Sequence, residues 1–213
     1  DVSLVRLKEL AGNRLAIESI SPEIDGGRFA AKTVVGEAFT VEADIFSDGH
    51  DSIDAALLWR RGREGEWHEA PMAFVEKDRW QGSIVFREIG LHQFSIVAWR
   101  DLFASWRREM GKKLAAGLKV SLEIEEGRRL VEAAVKAPSG SREKWSKALT
   151  ELRQRIETAD EEARLEILMA DETLALMKWG GPRTNLSHYR RALDVFVDRE
   201  KAVFSAWYEL APR

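Results

Sequence analysis

Chemistry in this chain has to come from carboxylates, aromatic faces and basic groups, since there is no cysteine and there are only four histidines. The densest acidic stretch holds Asp44, Asp48, Asp51 and Asp54, with His50 among them. An EF-hand loop would place a Glu at its twelfth position beyond a central Gly, and that pattern is missing here, so the stretch reads as turn chemistry. His50, His68, His92 and His188 are scattered, with no pair at helical ligand spacing, and no metal or cofactor is expected. A glycosidase needs two carboxyl groups flanking a substrate on a preorganised site, and no such pair can be assigned, so no catalytic residue is named. Aromatic faces suit sugar rings. Trp59, Trp80 and Trp99 fall inside strand patterns and read as core, whereas Trp67, in the charged Gly65-Glu66-Trp67-His68 segment, is the candidate sugar contact. The basic pairs, such as Arg60-Arg61, Arg128-Arg129 and Arg190-Arg191, are dispersed and read as solvated surface. No phosphate loop, dinucleotide fingerprint or nucleophile elbow occurs.

The elements that must position these groups centre on Gly36 to Asp101. Phe39, Val41, Ala43 and Ile45 alternate with Thr40, Glu42 and Asp44, the period of a strand with one buried face. Asp48-Gly49 supplies a turn before the apolar run Ala55 to Trp59. Trp80, Gly82, Ile84 and Phe86 share a face in the next strand, and His92, Phe94, Ile96 and Ala98 share one in the strand after it, with Gln93, Ser95, Val97 and Trp99 opposite. Upstream, Arg14 to Ile20 reads as an entry strand ended by Ser21-Pro22, and Asp25-Gly26-Gly27-Arg28 as a reversal. Asp1 to Gly12 shows only a weak apolar spacing. Beyond Trp99 the period shifts to about 3.6. Trp106, Met110, Leu114 and Leu118 predict one helical stripe, Val120, Ile124, Leu130 and Val135 a second that stops at Ala137-Pro138-Ser139-Gly140, and Trp145, Leu149, Leu152 and Ile156 a third capped by Ser141. Thr158 to Glu161 has capping-box spacing and opens a last helix that runs through Leu174 and Met177 to Gly180. Leu193 to Asp198 and Ala202 to Tyr208 return to strand composition and need a sheet to join. The expected fold class is therefore α+β, an immunoglobulin-like β-sandwich with an inserted helical bundle. Its first part is 14–101, the inserted helices 102–192 and the returning strands 193–210.

Composition narrows the classes further. A chain of 213 residues, 45% hydrophobic, can build a substantial core, and no apolar run approaches a membrane span. The net charge of −3 argues against a nucleic-acid partner, and the absence of cysteine agrees with a cytoplasmic protein. Charge is uneven along the chain. Leu102 to Ala192 carries 18 basic and 14 acidic residues, leaving 15 basic and 22 acidic elsewhere.

Several motifs in order carry a resemblance. Ser21-Pro22 with Asp25-Gly26-Gly27-Arg28-Phe29, Glu42 to Phe46, Asp48-Gly49-His50-Asp51, Asp78-Arg79-Trp80, Ala98 to Asp101 and Phe103 to Trp106 resemble the N-terminal region of bacterial α-1,4-glucan:maltose-1-phosphate maltosyltransferases of the α-amylase superfamily. Val197 to Glu200 and Phe204 to Leu210 resemble the segment that leads into the catalytic barrel, although Ala211 stands where an aromatic residue is expected. The resemblance implies a parent enzyme that transfers maltosyl units from maltose 1-phosphate to α-1,4-glucans with retention, its catalytic carboxylates lying in a C-terminal barrel beyond Arg213. It implies for this region a sandwich with a helical insertion, no activity of its own and a share in a homodimer interface. The alternative is a carbohydrate-binding module for α-glucan, centred on Trp67.

Overall fold

A computed structural model of the chain describes residues 15–49, 51–137 and 143–200. Among these residues are nine strands and five α-helices, so the fold is mixed α+β. The strands are β1 (Leu15–Ser21), β2 (Ala31–Val34), β3 (Ala38–Ser47), β4 (Ile53–Arg61), β5 (His68–Glu76), β6 (Arg79–Val85) and β7 (Gly90–Arg100), with β8 (Thr184–His188) and β9 (Leu193–Asp198) following the helices. The helices are α1 (Leu102–Ala115), α2 (Ser121–Lys136), α3 (Ser146–Thr158), α4 (Glu161–Met169) and α5 (Asp171–Gly180). The chain divides into two compact units. One holds the described residues of 15–48 and 186–200 together with Ala55–Ala98, and the other holds Gly49–Asp54 and Trp99–Asn185. The expectations for Asp1 to Gly12, His50, the 138–140 stop, the Ser141 cap and the 202–208 strand lie outside the described residues.

The strands form one sheet in the order β1-β3-β6-β5-β4-β7-β9-β2, with β8 beside β7. Its path turns at β5, which pairs with β4 through His68 to Pro71 and with β6 through Met72 to Glu76. In a flat sheet β3 and β7, four strand spacings apart in this order, would lie about 19 Å apart. The rings of Phe39 and Phe94, one from each, have centroids 5.1 Å apart. The sheet therefore curls over at β5 and closes one apolar face onto itself, burying Val41, Ile45, Leu57, Phe86, Ile96 and Val195. The alternation read along β3 holds, since Phe39, Val41, Ala43 and Ile45 are all buried. Strand β7 differs from expectation, because His92 through Trp99 are buried on both faces. The second face is covered partly by the 189–191 segment, where Tyr189 N donates to Ile96 O (2.8 Å) and Ser95 Oγ donates to Arg191 O (3.2 Å). Strand β9 pairs antiparallel with β7 and parallel with β2, so the chain re-enters the sheet next to the strand it left.

In the helical unit the Asp101 carboxylate accepts from Ala104 N (2.8 Å) and starts α1. The predicted stripe is only half right: Trp106 and Met110 are buried, but Leu114 and Leu118 are exposed. Gly117, at φ +67, explains Leu118. Leu118 N donates to Lys113 O and Gly117 N to Leu114 O, a Schellman closure that ends the helix before Leu118. In α2 the buried set is Ile124, Gly127, Val131 and Ala134, so Ile124 is buried as read, while the predicted Leu130 and Val135 pack against the core only partly buried. Leu149, Leu152 and Ile156 are buried in α3 as read. The last predicted helix is two. Thr158 closes α3, Asp160 caps α4 by accepting from Ala163 N (2.9 Å), and Ala170 is extended between α4 and α5. The carbonyls released at that break find other donors: Thr173 Oγ1 on Ile167 O (2.7 Å) and Arg107 Nη2 on Met169 O (2.7 Å).

Glycine in a helix usually costs about 0.5–1 kcal/mol relative to alanine. At Gly127 the sign reverses, because a Cβ would lie 2.5 Å from Cζ2 of Trp106, whose indole N–H donates to Glu123 O (2.8 Å). We expect Gly127→Ala to destabilise the chain by about 1–3 kcal/mol through overpacking. Gly111→Ala in α1, where nothing lies within 4 Å of the added carbon, should stabilise it by about 0.5–1 kcal/mol. Paired denaturant melts check both signs.

Candidate functional site

Trp67 immediately precedes β5 and is 40% exposed. Its ring is held from one side by the Arg60 guanidinium, 4.4 Å from the ring centroid. Arg60 is itself fixed by the sheet: its Nε and Nη2 both donate to Gln93 Oε1 (3.1 and 2.7 Å), and Gln93 Nε2 donates to Asp194 Oδ1 (2.7 Å). Arg63 Nη2 completes the chain on Asp194 Oδ2 (3.0 Å). Strands β4, β7 and β9 thus each contribute one member of a charged network, and Trp67 lies at its end with one face committed to a cation. Next to it His68 packs on Trp59, ring centroids 4.5 Å apart.

The acidic residues read as a turn are separated by their partners. Asp44 pairs with Arg79 (3.4 Å), Asp51 with Arg100 (2.8 Å) and the buried Asp54 with Lys178 (3.4 Å). Among the described residues no group of three His, Asp or Glu side chains is placed to hold a metal ion. His92, buried in β7, lies against Phe86 with centroids 4.6 Å apart and its Nδ1 3.2 Å from Gly90 O.

A cleft of about 620 Å³ opens between β1 and the segment Ser187 to Arg190. Glu23 stands in it with its Oε2 accepting from Tyr189 Oη (2.9 Å), and Arg190 packs above the Tyr189 ring, 5.7 Å from its centroid. Burial, and then the Glu23 carboxylate beside it, push the Tyr189 phenol up, so it remains a donor through neutral pH. Sequence reasoning missed this group. Glu23 and Tyr189 are 166 residues apart, and no local spacing announces the pair.

The helical unit shows mainly paired charge. Arg128 Nη2 donates to Glu125 Oε1 (2.7 Å) and its Nε to Glu125 Oε2 (2.8 Å), and Arg129 adds a bond at 3.3 Å. The two guanidiniums, Arg128 first, hold the Glu125 carboxyl down to about 2. Glu109, Glu123 and Glu132 are lowered by Lys112, Lys113 and Lys136 respectively. Asp101 is raised by burial, against the N–H groups of the helix it caps and the charge of Lys178. Leu114, Leu118 and, at 84%, Leu122 are left exposed around the α1–α2 junction.

These features define an α+β region with a curled sheet, a rigid Trp–Arg face, a polar cleft and a charge-laced helical unit. Comparison with known proteins identifies it further. Residues 13–199 match the family described as α-1,4-glucan:maltose-1-phosphate maltosyltransferase, domain N/S, and the chain belongs to that family. Two proteins of that name from Cereibacter sphaeroides are 49% identical over 209 residues and 50% identical over 206, covering 97% and 96% of this chain but 30% and 34% of their own lengths. A Myxococcus xanthus protein of the same name is 40% identical over 202 residues, 92% of this chain and 30% of its own. The chain thus spans about a third of the length of these curated relatives and corresponds to their N-terminal region.

The lowered carboxyls give the helical unit a pH dependence of definite sign. A depressed pKa in the fold contributes stability that is present above the unfolded value, 4.5 for Glu125, and lost as pH falls through about 2. We expect the melting temperature to decline across that window. Glu125→Gln should flatten the decline without abolishing it, and an unchanged slope in melts between those pH values would show that the Arg128 pairing contributes nothing, as exposed pairs often do.

Proposed function

We propose that this chain is the non-catalytic N-terminal region of an enzyme that transfers maltosyl units from maltose 1-phosphate to α-1,4-glucans, and that its role is structural and in dimer formation. The observation that carries this is the family match along 13–199 by a chain a third as long as its relatives. In this reading the sheet is an immunoglobulin-like sandwich of 14–101 and 193–210, the helices of 102–192 are its insertion, and the partner in the same polypeptide is a C-terminal catalytic barrel. The parent works in the cytoplasm; no described helix is long and apolar enough to cross a membrane.

Site chemistry supports a supporting role. A retaining transfer needs a carboxylate nucleophile about 5–5.5 Å from a second carboxyl whose pKa is raised so that it can act as an acid. Asp101, whose carboxyl is raised, spends its oxygen on the α1 backbone, and the lowered glutamates are bound to cations. Incubated with maltose 1-phosphate and a maltooligosaccharide, the chain is expected to release no phosphate beyond a buffer blank; release above it would defeat the reading.

Dimerisation through the helices is favoured by the exposed leucines of the α1–α2 junction, since apolar side chains left in water are what a twofold, self-complementary contact would cover. Sedimentation equilibrium should give a concentration-dependent monomer–dimer mixture. The double variant Leu118→Asp, Leu122→Asp should shift it to monomer; a dimer that survives both changes places the contact elsewhere. A second reading, α-glucan recognition, is favoured by the presentation of Trp67 on the Arg60 guanidinium; isothermal titration with maltoheptaose tests it, binding that disappears in Trp67→Ala supporting it and no binding overturning it.

A further inference from the structure

The outward positions of β9 are Asp194, Phe196 and Asp198, because Leu193, Val195 and Val197 are buried. An antiparallel pair with one face in water carries polar residues at such positions, and Phe196, 42% exposed, breaks that rule. Its cross-strand partner breaks it too. Leu91 of β7 stands opposite Phe196, in the outward row that Gln93 and Ser95 continue, and Ile89, 54% exposed, lies just ahead of it in the chain. Ile89 and Leu91 also wall a hollow of about 500 Å³ whose other side is the turn from Arg61 to Gly65. Two ion pairs flank it, Arg61 with Glu88 and Arg63 with Asp194 (3.0 Å). An apolar strip beside a concavity, rimmed by charge, is the anatomy of an interface. The fold itself covers only part of this face. Residues 189–191 bond to β7 at Ser95 and Ile96, and among the described residues no segment does the same at Leu91.

The path of the chain names the occupant. Phe196 lies two residues before the end of β9 and four before Glu200, the last described residue, and the Cereibacter relatives carry about two-thirds of their length outside the matched part. Polypeptide that continues from β9 starts beside this strip and meets it at the high effective concentration of an intramolecular partner. We propose that Ile89, Leu91 and Phe196 are the surface on which the C-terminal region of the parent polypeptide packs, with an apolar side chain of that region filling the hollow beside Arg61 and Arg63. The proposal rests on the reading that such a region follows this chain, and the surface can fail while the transferase reading stands.

Hydroxyl-radical footprinting, which reads side-chain exposure, tests it on the 213-residue chain and on the full-length parent polypeptide. Oxidation of Phe196 and Ile89 should fall about fivefold or more in the parent, as burial at the centre of an interface requires. Phe196→Asp in the parent should return Ile89 to the reactivity it has in the 213-residue chain, and should leave the melting temperature of that shorter chain unchanged. If Phe196→Asp does not fold, Phe196→Ser takes its place with the same expected result. Phosphate release from maltose 1-phosphate by the same parent preparation tests the transferase reading separately. Undiminished oxidation of Phe196 and Ile89 in an active parent overturns the surface alone, as does an Ile89 that stays protected in a folded Phe196 variant. Protection that grows with the concentration of the 213-residue chain assigns the strip to a second copy and overturns the proposal as well.

Discussion

The sheet unit depends on the crease at β5. One strand has to serve two neighbours, and the point of transfer, Pro71 to Met72, is where backbones and side chains are most crowded. Gly82 of β6 lies there, and a Cβ on it would stand 3.0 Å from Met72 Cγ, 3.2 Å from Pro71 O and 3.3 Å from Leu57 Cβ. Strands β4, β5 and β6 thus converge on a position with no room for a side chain. Close approach at Gly82 lets the sheet turn, the turn brings Phe39 to Phe94, and their contact closes the apolar face that the alternation in β3 prepares.

Closure leaves the outer faces to be managed, and β7 shows how. A strand buried on both sides must satisfy polar residues on the side away from the core. Gln93 and Ser95 do this by bonding to Arg60, Asp194 and the Arg191 carbonyl, so re-entry of the chain as β9 brings both a strand partner and the polar cover for β7. Hydrogen bonds to charged groups contribute about 1.5–3 kcal/mol each, more than the exposed ion pairs of α2, so this network fixes the Trp67 face more firmly than the many salt bridges fix the helical surface.

What could be read from the sequence follows the range of the interactions involved. The strands β3, β6 and β7 were legible because their apolar period is local, and the change to helices after Trp99 was legible for the same reason. Strand β5 was not. Only Met72 along it is fully buried, and Pro71 in its middle argues against a strand unless the ladder changes partner there. The break at Ala170 was equally hidden, since it depends on Thr173 and Arg107 taking over freed carbonyls, and Arg107 comes from another helix. Trp67 could be singled out as exposed from its charged surroundings, but Arg60, Gln93 and Asp194 could not be attached to it, because their meeting requires β4, β7 and β9 to be neighbours. The family resemblance reached further than periodicity did, as it draws on many positions at once.

The same contrast bears on what kind of function the region can hold. Catalytic carboxyls are made by withholding partners, leaving one group poised between protonation states. Here many described acids have been given a cation or a helix terminus. Glu23 is among them, its Oε2 accepting from Tyr189 Oη and its Oε1 3.6 Å from Arg190 Nη2. The Tyr189 phenol, pushed up by burial and then by Glu23, stays a donor to that carboxylate through neutral pH, so the pair ties Glu23 to the segment that follows β8. Partners assigned in this way hold strands and helix ends to one another.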